Sequence, residues 1–207
     1  MYTHDHNVLT AGVALADAKK VFILIHGRGA SAEDILSLAD HFDTSDTALL
    51  APQATNNSWY PNSFLSPEQQ NQPALDSALE IIKSLVTAAV NAGVPQEKIY
   101  FIGFSQGACL TLEFVTRNAT QYGGIVAFTG GLIGKEINMK HYKGDFKKTP
   151  VLITTGDPDP HVPVSRVELS AGLIKRMNAN VSVKIYPGRV HTISAKEIQL
   201  AKELILV

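Results

Sequence analysis

Four stretches of this chain are unbroken apolar runs rich in β-branched or aromatic residues: Val21-Phe22-Ile23-Leu24-Ile25, Ile99-Tyr100-Phe101-Ile102, Gly124-Ile125-Val126-Ala127-Phe128 and Val151-Leu152-Ile153-Thr154-Thr155. A strand with one wet face alternates apolar and polar residues, so continuous runs require cover on both faces, as in a parallel sheet. Ala48-Leu49-Leu50 is a shorter candidate and residues 181–186 an alternating one. Helical patterns separate them. Residues 75–91 place Leu75, Leu79, Ile82, Leu85, Val86 and Val90 on one face and close with Asn91-Ala92-Gly93, a helix-stop signal. Residues 164–177 and 194–206 read likewise. The expected fold class is therefore α/β, a mostly parallel central sheet with helices on both faces, in which sites form beyond the carboxyl ends of the strands.

Composition narrows the function classes. At 207 residues, with 45% apolar and 18% charged side chains, the chain has the make-up of a folded globular protein, and no repeat or linker divides residues 1–207 into more than one domain. A net charge of -1 provides no field for nucleic acid or an anionic membrane surface. Cys109 is the lone cysteine, which excludes an internal disulfide and a cysteine-based zinc cluster. No apolar stretch approaches 18 residues, so stable membrane insertion is not expected. The N-terminal segment has His4, Asp5 and His6 where a secretory signal needs a basic start and an apolar run, and the chain reads as cytoplasmic. His4 and His6 lack a carboxylate-rich setting, so they are read as a frayed end and no metal site is assigned.

Directly after the run ending at Ile102 comes Gly103-Phe104-Ser105-Gln106-Gly107, and the following Ala108 to Leu112 fit a helix. Gly-x-Ser-x-Gly between a buried strand and a helix reads as a nucleophile elbow, where the flanking positions must be tiny because strand and helix nearly touch. Ser105 then needs a base and a group to orient that base. On this architecture they follow in the order Ser, acid, His. The loop after residues 151–155 offers Asp157 and Asp159, and the loop after residues 181–186 offers His191. His4, His6, His26 and His41 precede the elbow, His141 follows no strand, and His161 shares the loop of the acid candidates, so His191 is the expected base.

The backbone N–H of Gln106 and that of Arg28, in His26-Gly27-Arg28-Gly29, are the expected oxyanion donors. The loop of residues 53–73 carries Trp59, Tyr60, Phe64 and Leu65, which with Leu132 and Ile133 could wall an apolar acyl pocket or simply anchor the loop to the core. Cys109 reads as a small core residue.

With Ala51-Pro52-Gln53, Trp59-Tyr60-Pro61, Asp159-Pro160-His161-Val162-Pro163 and Gly188-Arg189-Val190-His191 added to the elbow and the His-Gly turn, the chain resembles the phospholipase/carboxylesterase family of the α/β-hydrolase superfamily, which includes acyl-protein thioesterases. The resemblance implies Ser105, Asp159 and His191 as triad, no separate cap domain, no cofactor, small-molecule ester or thioester substrates, and in many members a homodimer. Many relatives carry an apolar residue where this chain has Arg28, which favours substrates with a carboxylate or phosphate near the ester. The expected function is a serine carboxylic ester hydrolase. A dienelactone-hydrolase-like activity on small cyclic esters is the enzymatic alternative, and a non-catalytic ligand-binding protein on the hydrolase scaffold is the alternative from another class.

Overall fold

The apolar runs become the middle of a seven-stranded sheet in the computed structural model, which describes residues 2–206. In chain order the strands are β1 (Val8–Gly12), β2 (Lys20–Ile25), β3 (Thr47–Pro52), β4 (Ile99–Phe104), β5 (Gly124–Phe128), β6 (Pro150–Asp157) and β7 (Asn180–Pro187). They lie side by side in the order β1-β3-β2-β4-β5-β6-β7. β1 runs antiparallel to β3, and every other neighbouring pair is parallel. The loops after β2, β4, β5, β6 and β7 therefore leave the sheet at one end.

Alternate residues of the central strands enter two separate cores. Val21, Ile23, Phe101, Ile125 and Ile153 pack beneath α2 (Ala74–Asn91), α3 (Gln106–Arg117) and α4 (Val164–Arg176). Phe22, Leu24, Ile102, Val126 and Leu152 face α1 (Ala32–Leu36) and α5 (Ala195–Leu204). Both faces are covered, which is why these strands can be apolar without alternation. α2 ends as its sequence requires: Gly93 takes φ +97°, the Val94 N–H donates to the Ala89 carbonyl and the Gly93 N–H to the Val90 carbonyl, both at 3.0 Å. α3 is buried along residues 106–116, with the sheet below and residues of the 130–146 segment above.

The reading of His4 and His6 as a frayed end is corrected for His4. β1 pairs with β3 along its whole length, and His4 is buried against the Trp59 ring, 5.3 Å between centroids. Its Nε2–H donates to the Trp59 carbonyl (3.0 Å) and its Nδ1 accepts the Thr55 N–H (3.1 Å), whereas His6 is exposed. Among the described residues, no helix is long and apolar enough to cross a membrane.

Candidate active site

Ser105 sits between β4 and α3 with φ +54° and ψ −117°, a conformation that costs about 1–3 kcal/mol and must be held by its surroundings. Its N–H donates to the Phe128 carbonyl at the end of β5 (3.0 Å), and its carbonyl accepts the Cys109 N–H (3.0 Å). The two glycines of the turn let helix and strand approach. A Cβ on Gly107 would lie 2.1 Å from the Ile25 carbonyl oxygen, and one on Gly103 2.6 Å from that of Gly107.

The loops after β6 and β7 bring Asp159 and His191 to this serine. His191 Nε2 lies 2.8 Å from Ser105 Oγ, and His191 Nδ1 lies 2.8 Å from Asp159 Oδ2. A carboxylate can only accept, so Nδ1 carries the hydrogen and Nε2 accepts from the serine hydroxyl. The imidazole is held on one side by the Phe104 ring at 5.2 Å and on another by the edge-on His161 ring at 5.0 Å. Asp159 Oδ1 accepts the N–H groups of His161 and Val162, both at 2.9 Å. Burial opposes the charge on Asp159, but the bond from His191 and these two N–H groups outweigh it and hold the carboxyl below its usual range. Asp157, the competing acid, is exposed and its carbonyl accepts the Gly188 N–H instead.

Among the described residues, the backbone N–H groups of Arg28 and Gln106 donate to no protein acceptor. Gln106 opens α3, where the helix dipole also favours negative charge. Arg28, Gln106 and Ser105 line one cleft.

A cleft of about 700 Å³ opens in front of Ser105. Tyr60, Phe64, Leu65 and Val162 supply its apolar wall, and Arg28, Asn62 and Ser63 a polar one. Trp59 and Leu132, expected among the substrate-binding residues, do not line it. Trp59 is fully buried, its indole in tilted contact with the His26 ring and its Nε1–H donating to the His26 carbonyl at 2.9 Å, so it anchors the loop to the core. Leu132 is fully buried, its N–H bound to Ser170 Oγ (2.9 Å), and Ile133 is turned inward beside it. Cys109 is a core residue at the floor of the cleft, where burial pushes its thiol up to about 12 and leaves it inert as a nucleophile. The Tyr60 hydroxyl beside it has no protein partner of good geometry.

Several side-chain roles escaped sequence reading, two of them at residues singled out there for their backbone N–H groups. The Gln106 side chain is buried, its Oε1 accepting the Trp59 N–H (2.9 Å) and its Nε2 donating to the Tyr60 carbonyl (2.8 Å), so it shapes the wall from inside. Arg28 donates to Ser58 Oγ (2.8 Å) and to the carbonyls of Pro61 (3.1 Å) and Asn62 (2.7 Å), pinning the same loop from the rim. Glu113, deep in α3, accepts from Ile133 N–H (2.9 Å), the Tyr142 hydroxyl (3.0 Å) and Arg117 Nε (2.7 Å). An acid inside the apolar stretch Cys109 to Val115 was the available signal for that one.

The chain is similar to known proteins of one family. The family model described as Phospholipase/Carboxylesterase matches residues 13–207. The structure of a phospholipase/carboxylesterase from Dyadobacter fermentans is 59% identical, with a TM-score of 0.98 over 100% of this chain and 99% of that one. The "Probable carboxylesterase SOBER1-like" of Arabidopsis thaliana is 28% identical over 200 residues, 87% of this chain and 76% of that protein. Acyl-protein thioesterase 1 of Kluyveromyces lactis is 27% identical over 202 residues, covering 88% and 89%.

Proposed function

This chain belongs to the phospholipase/carboxylesterase family of ester and thioester hydrolases, and we propose that it performs that hydrolysis with Ser105, His191 and Asp159 by way of an acyl-enzyme. The observation that carries this reading is the unbroken line of hydrogen bonds from Asp159 through His191 to Ser105, each 2.8 Å.

Ser105 Oγ attacks the substrate carbonyl carbon as His191 Nε2 takes its proton. Asp159 fixes the imidazole tautomer and stabilises the imidazolium as it forms. The carbonyl oxygen, now negative, accepts from the N–H groups of Arg28 and Gln106; one such donor is typically worth about 10²–10³ in rate. When the intermediate collapses, the C–O or C–S bond breaks and the imidazolium gives its proton to the leaving group. Water then enters, loses a proton to Nε2, and releases the acid by the same steps. The acyl group lies against Tyr60, Phe64 and Leu65, which line the cleft beside Ser105.

Covalent labelling by a fluorophosphonate probe, read by intact mass, tests the reading. One adduct on the wild type and none on Ser105→Ala is expected. An unlabelled, folded wild type would overturn it in favour of a binding protein on this scaffold. A panel of esters and thioesters of increasing chain length then fixes the substrate class, and it includes a small lactone because Arg28, Asn62 and Ser63 make one wall of the cleft polar.

A further inference from the structure

Arg189 and Glu197 form a buried ion pair behind the site, with side chains 8% and 0% exposed and 3.4 Å between Nε and Oε2. Two charges taken out of water are costly, and a well-packed apolar pair often serves stability as well. Their contacts point to another purpose. Arg189 Nη1 donates to the carbonyls of Val190 (3.0 Å) and Thr192, the residues on either side of His191. Arg189 Nη2 donates to Thr129 Oγ1 (2.7 Å), one residue beyond the Phe128 carbonyl that accepts the Ser105 N–H. Glu197 Oε1 accepts from Thr154 Oγ1 (2.5 Å) on β6, the strand that leads to Asp159, and Oε2 accepts both N–H (2.9 Å) and Oγ–H (2.8 Å) of Ser194.

We propose that the Arg189–Glu197 pair is a positioning hub that fixes the His191 loop relative to the strands bearing Ser105 and Asp159. The hub rests on the reading of Ser105, His191 and Asp159 as the triad. The pair meets the end of β5 through Thr129, next to the Phe128 carbonyl that accepts the Ser105 N–H, meets β6 through Thr154, and meets the β7 loop through Arg189 itself. The backbone fits the same scheme. The Thr129 N–H donates to the Thr154 carbonyl (2.8 Å), and a Cβ on Gly156 would lie 2.3 Å from the Arg189 carbonyl oxygen, so the β6 strand must be bare where the His191 loop rests on it. A planar guanidinium suits this task because its rigid fork can hold two flanking carbonyls and a hydroxyl at once, which a lysine ammonium cannot. Neither residue touches the substrate. They act by holding the imidazole that does.

The test compares Glu197→Gln and Arg189→Lys with the wild type in ester hydrolysis, with kcat expressed per serine titrated by the fluorophosphonate. A displacement of the imidazole of the order of 1 Å is expected to lower kcat by about tenfold to a hundredfold, with KM within about twofold. The low-field NMR signal of the His191 Nδ1–H is expected to broaden or vanish in both variants. Should either variant fold poorly, Thr129→Ala removes one spoke of the hub without disturbing the pair. It is expected to lower kcat by a smaller factor that Thr129→Ser restores. Variants that lose thermal stability yet keep kcat per titrated serine and a sharp His191 signal would overturn the proposal and leave the pair a purely structural feature. A wild type that took no label would instead fault the esterase reading, and the His191 signal would still report whether the hub holds the ring.

Discussion

The imidazole of His26 lies on the indole of Trp59, 4.9 Å between ring centres, while the indole N–H returns to the His26 carbonyl at 2.9 Å. The ring nitrogens of His26 are both committed: Nδ1–H donates to the Gly27 carbonyl (2.7 Å) and Nε2 accepts the Ala54 N–H (3.1 Å). This histidine is built to be neutral, and so is His4, which also packs against Trp59.

Burial pulls the pKa of both His26 and His4 below the ordinary 6.5. Between that value and the depressed one, the unfolded chain binds protons that the folded chain refuses, so their contribution to stability is complete above about pH 6.5 and drains away as the pH falls. Urea midpoints are expected to be level from pH 8 to 7 and to decline from there to pH 5. His26→Asn should give a shallower decline. An equal slope in that variant would remove His26 as its source.

Asp159→Asn tests the tautomer argument. The amide can present its N–H₂ to Nδ1 and so favour an imidazole with the hydrogen on Nε2, pointing at the serine rather than accepting from it. A loss of about 10⁴-fold in kcat with little change in KM is expected. A loss below about tenfold would take Asp159 out of the orienting role.

Arg28→Ala separates two uses of one side chain. The guanidinium binds Ser58, Pro61 and Asn62 at the cleft rim, so its removal should raise KM for neutral esters by loosening that wall. Steady-state comparison with esters bearing a carboxylate near the scissile bond should give a further rise of several-fold. The same rise for both substrate sets would mean that Arg28 is a clamp and the anion preference is wrong.

The α/β architecture was legible because its signals are local and redundant. Unbroken runs such as Val21 to Ile25 have few other uses, and Asn91-Ala92-Gly93 ends α2 through the hydrogen bonds its residues allow. β1 was missed because it is five residues long, antiparallel at the edge, and exposed at four of them, so neither alternation nor a buried run marks it. Trp59 illustrates a second limit. An aromatic residue in a polar loop can face a ligand or the core, and only the partner of its N–H, the carbonyl of His26, decides between them. Glu197 illustrates a third: in sequence it is an acid in the first turn of a helix, a role it does fill at the cap, and nothing local reveals that the carboxylate is also fully buried beside Arg189. Ser105 and His191 stood out for a different reason, since each follows a strand whose exit point the topology fixes, whereas Asp159 was separated from Asp157 in the same loop only by the family resemblance.

The order of β4, β5, β6 and β7 along the chain spreads the site over distant segments. The elbow is complete by residue 107, but the imidazole arrives after β7 and the carboxylate that steadies its loop arrives with the last helix, α5. On the proposed reading, the elbow alone is a serine with no base beside it, and attack on an acyl group requires the loop after β7 and α5 to be docked on the sheet.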